Sequence, residues 1–194
     1  QGVIVMKPGT YLQKTYGYTD FQIGQIRYVI MSLLSEFSKL FIMGIFFYST
    51  HMFGEYITAA FILCMIRTGA GGLHFKHYVT CFLFSFGIFF AGITMGVHFS
   101  CSKLYALVVL TICIIIHFLC APIVSSYRPT PSGVMIRKSK RQSFIIITLF
   151  AIALYVIPEN TYTNTGFWII VLQSLQLVVA KLTNERRLNN ETTA

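Results

Sequence analysis

Long apolar segments separated by short polar breaks dominate this sequence and determine the solvent in which the chain can fold. The clearest are 79–99 and 104–124, each of about 21 residues, the length with which an α-helix crosses a bilayer. Only 11% of the residues are charged, whereas soluble domains carry about a quarter. This composition cannot supply a water-facing surface, so we expect a membrane protein.

Four further apolar segments bring the number of predicted spans to about six. They are 28–48, 56–66, 144–157 and 166–180, of which the last three must borrow flanking residues to cross a bilayer. The predicted fold is an all-α polytopic membrane protein. It has an amino-terminal cytoplasmic or interfacial helix region, a six-span membrane domain and a cytoplasmic tail, with the bounds 1–27, 28–180 and 181–194.

The polar residues near the amino terminus mark the start of the first long helix. Thr19 or Asp20 is expected to cap it, and residues 1–20 contain no apolar stretch of the kind found in signal peptides. Glu36 and Lys39 lie three residues apart inside the first span. They are expected either to pair with each other or to snorkel toward the membrane interface.

The distribution of positive charge predicts the orientation. The net charge is +9, and the polar loop 125–143 contains five Lys and Arg residues and no acid. If this loop is cytoplasmic, six spans place all but two of the fifteen Lys and Arg residues on the cytoplasmic side, leaving Lys39 in a span and Lys103 outside. Both termini and the segment 67–78 are then cytoplasmic.

Nucleic-acid binding and a secreted disulfide framework both fit the sequence less well than a membrane protein does. No polar segment interleaves basic and aromatic residues, so nucleic-acid binding is not expected. The five cysteines are odd in number and lie in or beside apolar runs, which argues against a disulfide framework. Most of them are expected to be small core residues.

The segment 67–81 interrupts the apolar pattern between the second and third predicted spans. Gly69, Gly71 and Gly72 are poor helix formers and allow the backbone to approach other groups closely. Non-helical backbone at membrane depth is tolerated only where protein or water covers it. We therefore predict a non-helical or re-entrant glycine-rich turn before Cys81.

Cys81 follows two histidines, which makes a catalytic cysteine–histidine pair one interpretation of the segment. On a straight helix His77 lies one turn from Cys81, whereas His74 lies two turns or about 10.5 Å away, beyond the reach of a general base. Spacing alone favours His77, and His74 can serve only if the glycines fold the chain back. The histidines can also be incidental. Cys64 would complete a four-ligand zinc set, although its spacing matches no common zinc site.

The pattern formed by Arg67, Gly71-Gly72, His74 and Cys81 resembles the signature of the AgrB (accessory gene regulator B) family. The similarity covers about residues 10–180 and includes Lys14-Thr-Tyr-Gly17, Ala121-Pro122, Arg128-Pro129 and the Arg137–Arg141 cluster. Members are cysteine endopeptidases in the cell membrane of Gram-positive bacteria. They process a small AgrD-like propeptide into a cyclic quorum-sensing signal.

The resemblance implies a reaction and a role for each residue of the motif. Cys81 attacks a peptide bond of the propeptide, releases its carboxy-terminal segment and holds the remainder as a thioester. A cysteine or serine of the peptide then closes a thiolactone or lactone ring. His74 is the implied general base and acid, in place of the residue that spacing favours, and His77 remains the alternative base.

The resemblance also implies how the substrate is held. Gly71 and Gly72 support the turn, while the acidic end of the propeptide is expected to contact Arg67, Lys76, Arg137, Lys138, Lys140 and Arg141. Positive-inside topology explains these cations equally well. The propeptide leader is an amphipathic helix that reaches the site along the lipid surface. A homodimer is a further expected assembly, and no metal or cofactor is expected.

Two other classes of function stay open from the residues alone. One is a small multi-pass transporter or channel subunit, with Glu36 and Lys39 lining a path, and the other is a structural membrane adaptor. Loss of propeptide cleavage on Cys81→Ala distinguishes the peptidase from both.

Overall fold

The computed structural model describes residues 17–72, 77–123 and 133–192, with side chains at all of these positions except 28, 29, 32 and 184–192. Within these ranges the chain forms six helices and no strand. The helices are α1 (Asp20–Ser49), α2 (Phe53–Ala70), α3 (Tyr78–His98), α4 (Lys103–Cys120), α5 (Gly133–Val156) and α6 (Thr161–Thr192). The predicted all-α class is confirmed.

The chain divides into two compact units, residues 1–43 and 44–194. In the described part of the first unit, α1 begins with a reciprocal cap. The Gln22 N–H donates to Thr19 Oγ1 at 3.3 Å, and the Thr19 N–H donates to Gln22 Oε1 at 2.9 Å. Thr19 is therefore the helix cap. Further along α1, Lys39 Nζ lies 2.7 Å from Glu36 Oε1, so these two residues pair with each other.

In the second unit, successive helices run in alternating directions, and polar contacts tie together the ends that meet. The starts of α2 and α6 meet where Thr161 Oγ1 donates to Glu55 Oε1 at 3.0 Å. The ends of α2 and α4 meet where the Ile123 N–H donates to the Ala70 carbonyl at 2.9 Å. We call this second end, formed by the ends of α2 and α4 and the starts of α3 and α5, the motif end.

Helix α6 is the central helix of the second unit. In the most apolar stretch of α6, within residues 161–183, 56% of the residues are buried, compared with 33% in α3 and 22% in each of α4 and α5. Small residues let α3 approach it closely, because a Cβ placed on Gly92 would lie 2.6 Å from Ile169 Cδ1 and one on Gly96 would strike Thr165. Polar side chains of α6 are thereby brought into the interior of the unit.

Four helices are long and apolar enough to cross a bilayer: Tyr78–His98, Lys103–Cys120, Gly133–Val156 and Thr161–Thr183. Large apolar side chains such as Leu83, Val108 and Leu149 are exposed on them, as lipid-facing positions are. Among the described residues, α1 and α2 do not meet this criterion. The chain is thus a membrane protein with four candidate spans, and the predicted count of about six is not confirmed.

Helix α5 starts earlier in the sequence than was predicted. It begins at Gly133, so residues 133–143, which were expected to belong to the basic loop 125–143, are helical. The physical reason is that Arg, Lys and Gln are good helix formers and no proline follows Pro131 until Pro158. The short apolar segment 144–157 borrows these turns to reach membrane length. Residues 124–132 lie outside the described residues.

Candidate functional site

The glycine-rich turn begins where α2 ends. Gly71 has φ 74° and ψ −155°, a backbone conformation that is essentially restricted to glycine. Its N–H closes the helix on the Arg67 carbonyl at 3.0 Å, and Gly71 pairs with Ile123 in a single parallel bridge. A side chain at position 71 would strike the Ile123 carbonyl oxygen. The chain therefore leaves the helix at the glycines, as predicted.

Polar side chains of the later helices hold this turn in place. Gln173 Nε2 on α6 donates to the Gly71 carbonyl at 3.1 Å, and Ser139 Oγ on α5 donates to the Gly69 carbonyl. Gln142 Nε2, one turn along α5, donates to Thr68 Oγ1 at 2.7 Å. None of these three residues was identified from the sequence. Gln173 and Gln142 carry one signal, which is that they are polar residues in or beside an apolar run, whereas Ser139 lies within the basic cluster and carries none.

Arg67 and Gln176 meet at Gly72, the second glycine of the pair. A Cβ placed on Gly72 would lie 3.1 Å from Arg67 Nη2 and 3.2 Å from Gln176 Nε2. Arg67 is half-buried, and it has no carboxylate partner among the described residues, whose one ion pair joins Lys39 to Glu36. The absence of a side chain at Gly72 thus leaves room for a guanidinium and a carboxamide side by side.

Cys81 lies in the first turn of α3, at the motif end. Its side chain is buried, with 7% exposure, and the residue forms no disulfide bond. Its N–H donates to the His77 carbonyl at 3.1 Å, which is the first hydrogen bond of the helix. Ser85 is buried one turn further along α3. The predicted nucleophile is therefore in the first turn of a 21-residue helix that begins at Tyr78.

His77 is placed differently from what helical spacing suggests. It is the N-cap of α3, with extended backbone at φ −98° and ψ 134°, and its side chain is exposed. Among the described residues its imidazole makes no hydrogen bond, to Cys81 or to any other group. The argument that favoured His77 assumed that His77 and Cys81 lie one turn apart on the same helix. The helix, however, starts only after His77. His74 and Lys76 lie outside the described residues.

The cluster of cations that was assigned to a loop lies on the first turns of α5. Arg137, Lys138 and Arg141 are exposed, and Lys140 Nζ sits 4.7 Å above the ring of Phe118 on α4, a cation–π contact. Ser139, which contacts the turn at Gly69, lies in the middle of this cluster. The structure thus brings Arg137–Arg141 to the same end of the second unit as the glycine-rich turn.

The described residues contain no group of three or more His, Cys, Asp or Glu side chains that could hold a metal ion. Cys64 is exposed on α2, whereas Cys81 is buried on α3. The zinc set considered from the sequence includes His74, so it extends beyond the part of the chain that the structure describes.

Comparisons with known proteins agree on one family. The model of the family described as accessory gene regulator B matches residues 9–177. An AgrB-like protein of Clostridium perfringens (strain 13 / Type A) is 29% identical over 173 residues, which cover 86% of this chain and 90% of the relative. No solved structure matches this chain.

Proposed function

The chain belongs to the accessory gene regulator B (AgrB) family, and we propose that it is a membrane-embedded cysteine endopeptidase that processes an AgrD-like propeptide in quorum sensing. The observation that carries the proposal is the position of Cys81. It is buried in the first turn of a membrane-length helix, and the chain breaks out of helix at Gly71 shortly before it.

In the proposed reaction, Cys81 Sγ attacks the carbonyl carbon of the scissile peptide bond while His74 takes the thiol proton. The carbon–nitrogen bond then breaks, and His74 returns the proton to the leaving amine of the carboxy-terminal segment. The rest of the propeptide remains as a thioester on Cys81. A thiol or hydroxyl of the peptide attacks this thioester, closes the thiolactone or lactone ring and restores the Cys81 thiol.

The surroundings of Cys81 suit an acyl-enzyme intermediate. Ring closure succeeds only if water does not hydrolyse the thioester first, and a buried position at the edge of a membrane helix limits access of water. The N–H groups of the first turn of α3 carry partial positive charge, which favours a sulfur or oxygen anion at this position.

His74 is proposed as the base on the strength of the family motif. The objection from spacing was that two turns of straight helix separate it from Cys81. This distance does not apply, because Gly71, Gly72 and His77 are not helical. The alternative base, His77, has an exposed side chain whereas the Cys81 side chain is buried.

The charges of the motif end support binding of an acidic peptide segment on the cytoplasmic side. Arg67 and the Arg137–Arg141 cluster lie at this end, as does Lys181, whose Nζ donates to the Leu119 carbonyl near the end of α4. Glu55 lies at the other end, with Glu159 between α5 and α6 and with Lys103, whose Nζ donates to the Tyr155 carbonyl. This asymmetry supports the orientation that places the motif end in the cytoplasm. Both termini are proposed to lie there as well. A half-buried Arg67 without an acidic partner among the described residues is suited to a substrate carboxylate.

Assembly and access follow from the same proposal. The propeptide leader, an amphipathic helix in this family, approaches along the lipid surface. The protein is proposed to act as a homodimer in the cell membrane, and cross-linking in native membranes tests this. A band at the monomer mass alone, over a series of cross-linker lengths, would contradict the dimer without affecting the catalytic proposal.

Reconstitution in liposomes tests the proposed reaction. The substrate is a candidate propeptide with an amphipathic head, a cysteine or serine and an acidic end, to be sought in a short reading frame near the gene. The control variant is Cys101→Ala, which removes a thiol at the opposite end of the second unit. It is expected to cleave the propeptide as fast as wild type does. Cys81→Ala and His74→Ala are expected to be inactive, and Cys81→Ser nearly so. Cleavage by Cys81→Ala would refute the assignment of the nucleophile.

A further inference from the structure

Gln176 on α6 is a buried polar side chain for which the fold has no evident use. It is 4% exposed, and both of its amide atoms, Nε2 and Oε1, are buried without a hydrogen-bond partner among the described residues. A buried amide group that lacks its hydrogen bonds destabilises a fold. A leucine or methionine at this position would avoid that cost.

The position of Gln176 shows what its carboxamide can serve. Gln173, three residues earlier on the same face of α6, already holds the turn through the Gly71 carbonyl. Gln176 lies beside the next residue of the turn, and its Nε2 shares the space over Gly72 with the guanidinium of Arg67. One glutamine thus fixes the turn, while the other presents a donor and an acceptor beside it.

We infer that Gln176 is a substrate-positioning residue, whose carboxamide pairs with a backbone amide of an extended peptide bound over Gly72. This inference rests on the proposed peptidase function. A carboxamide donates through Nε2 and accepts through Oε1, so it complements the C=O and N–H that a peptide presents regardless of its side chains. Arg67, next to it, then lies within reach of a carboxylate on the same peptide.

The missing side chain at Gly72 is part of this arrangement. The carboxamide and the guanidinium both lie about 3 Å from the point where a Cβ would stand, so a methyl group there would press against both and a larger side chain would displace one of them. Peptide hydrogen bonds formed in this buried place are not weakened by competition with water. Binding of the peptide would satisfy the two amide atoms that the free protein leaves without partners.

The test replaces Gln176 by methionine, which keeps the volume and removes both polar atoms. Fluorescent propeptide is titrated onto the Cys81→Ala protein in nanodiscs, with and without Gln176→Met, so that binding is measured even if cleavage fails. We expect Gln176→Met to weaken binding about tenfold to hundredfold, the effect of one or two buried hydrogen bonds. Its thermal unfolding midpoint should equal or exceed that of the parent.

Thr165→Val is the matched control. The Thr165 hydroxyl is also buried without a partner among the described residues, but it lies eleven positions earlier on α6, about 16.5 Å along the helix axis. Thr165→Val should leave binding unchanged, and, like Gln176→Met, it should not lower the unfolding midpoint. Equal propeptide affinity in the Gln176→Met and parent proteins would overturn the inference. If Cys81→Ala cleaves but Gln176→Met weakens binding, the catalytic proposal fails while the positioning role stands.

Discussion

Replacing Gly71 by alanine tests whether the glycine turn is a requirement of the site. Its φ of 74° and ψ of −155° lie in a region that is essentially restricted to glycine, which costs other residues about 1–3 kcal/mol. The new methyl group would also meet the Ile123 carbonyl oxygen and disturb the hydrogen bond from Ile123 to Ala70, which adds about 0.5–1.5 kcal/mol. The turn is therefore destabilised by about 1.5–4.5 kcal/mol.

This energy can be converted into a rate. If only molecules with the turn closed cleave the propeptide, the cleavage rate falls in proportion to the fraction of molecules in that state. At 1.36 kcal/mol for each factor of ten, Gly71→Ala lowers the ratio of closed to open turn by about 13- to 2,000-fold, and propeptide cleavage should be slower by up to this factor. The assay is single-turnover cleavage in liposomes. The helical content by circular dichroism should be retained, since the helices on either side do not need the turn.

Two other glycines provide a graded control for the same measurement. Gly72→Ala places its methyl 3.1 Å from the movable end of Arg67 and should have a smaller effect than Gly71→Ala. Gly87→Ala, on the exposed face of α3, meets nothing within 4 Å and should leave cleavage unchanged. Cleavage by Gly71→Ala as fast as by Gly87→Ala would show that the turn conformation does not govern the site.

Three further substitutions have expected outcomes. His77→Ala should retain the wild-type cleavage rate within about threefold, because the His77 imidazole is exposed and makes no hydrogen bond among the described residues. Removal of a general base, by contrast, slows catalysis by about 10²–10⁴-fold. Equal losses of activity in the His74→Ala and His77→Ala variants would contradict the assignment of His74 as the base. Ser139→Ala should lower the free energy of unfolding by about 1 kcal/mol through its lost bond to the Gly69 carbonyl, and Thr111→Val, which loses only a bond within its own helix, should lower it less. The double change Arg137→Gln with Arg141→Gln should raise KM for an acidic propeptide and reduce the dependence of KM on salt, while Lys103→Gln at the opposite end should do neither.

The boundary of α5 illustrates where reasoning from the sequence fell short. The charges of Arg137, Lys138, Lys140 and Arg141 suggested a loop, because cations accumulate between spans. Charge, however, does not prevent a helix from continuing, and a segment without proline that leads into an apolar span extends the helix outward. Helix α6 likewise begins at Thr161, five residues before the apolar segment 166–180 with which it was predicted, because uncharged polar residues can also continue a helix outward.

The choice of base illustrates a second limit. Spacing favoured His77 on the assumption that one helix runs from it to Cys81. The structure shows that His77 caps that helix with extended backbone, and its side chain is exposed. Local spacing is informative only after the helix start is known, and here the helix starts at Tyr78, after His77.

The sequence by itself determined the helical class, the membrane environment and the break at the glycines. These follow from local chemistry: apolar runs of spanning length form helices in lipid, and paired glycines end them. Only the tertiary structure showed that Gln173, Ser139 and Gln142 hold the turn and that Gln176 stands beside Arg67 over Gly72. Such contacts join residues up to about a hundred positions apart, and they depend on how helices α2, α5 and α6 pack, which no local pattern records.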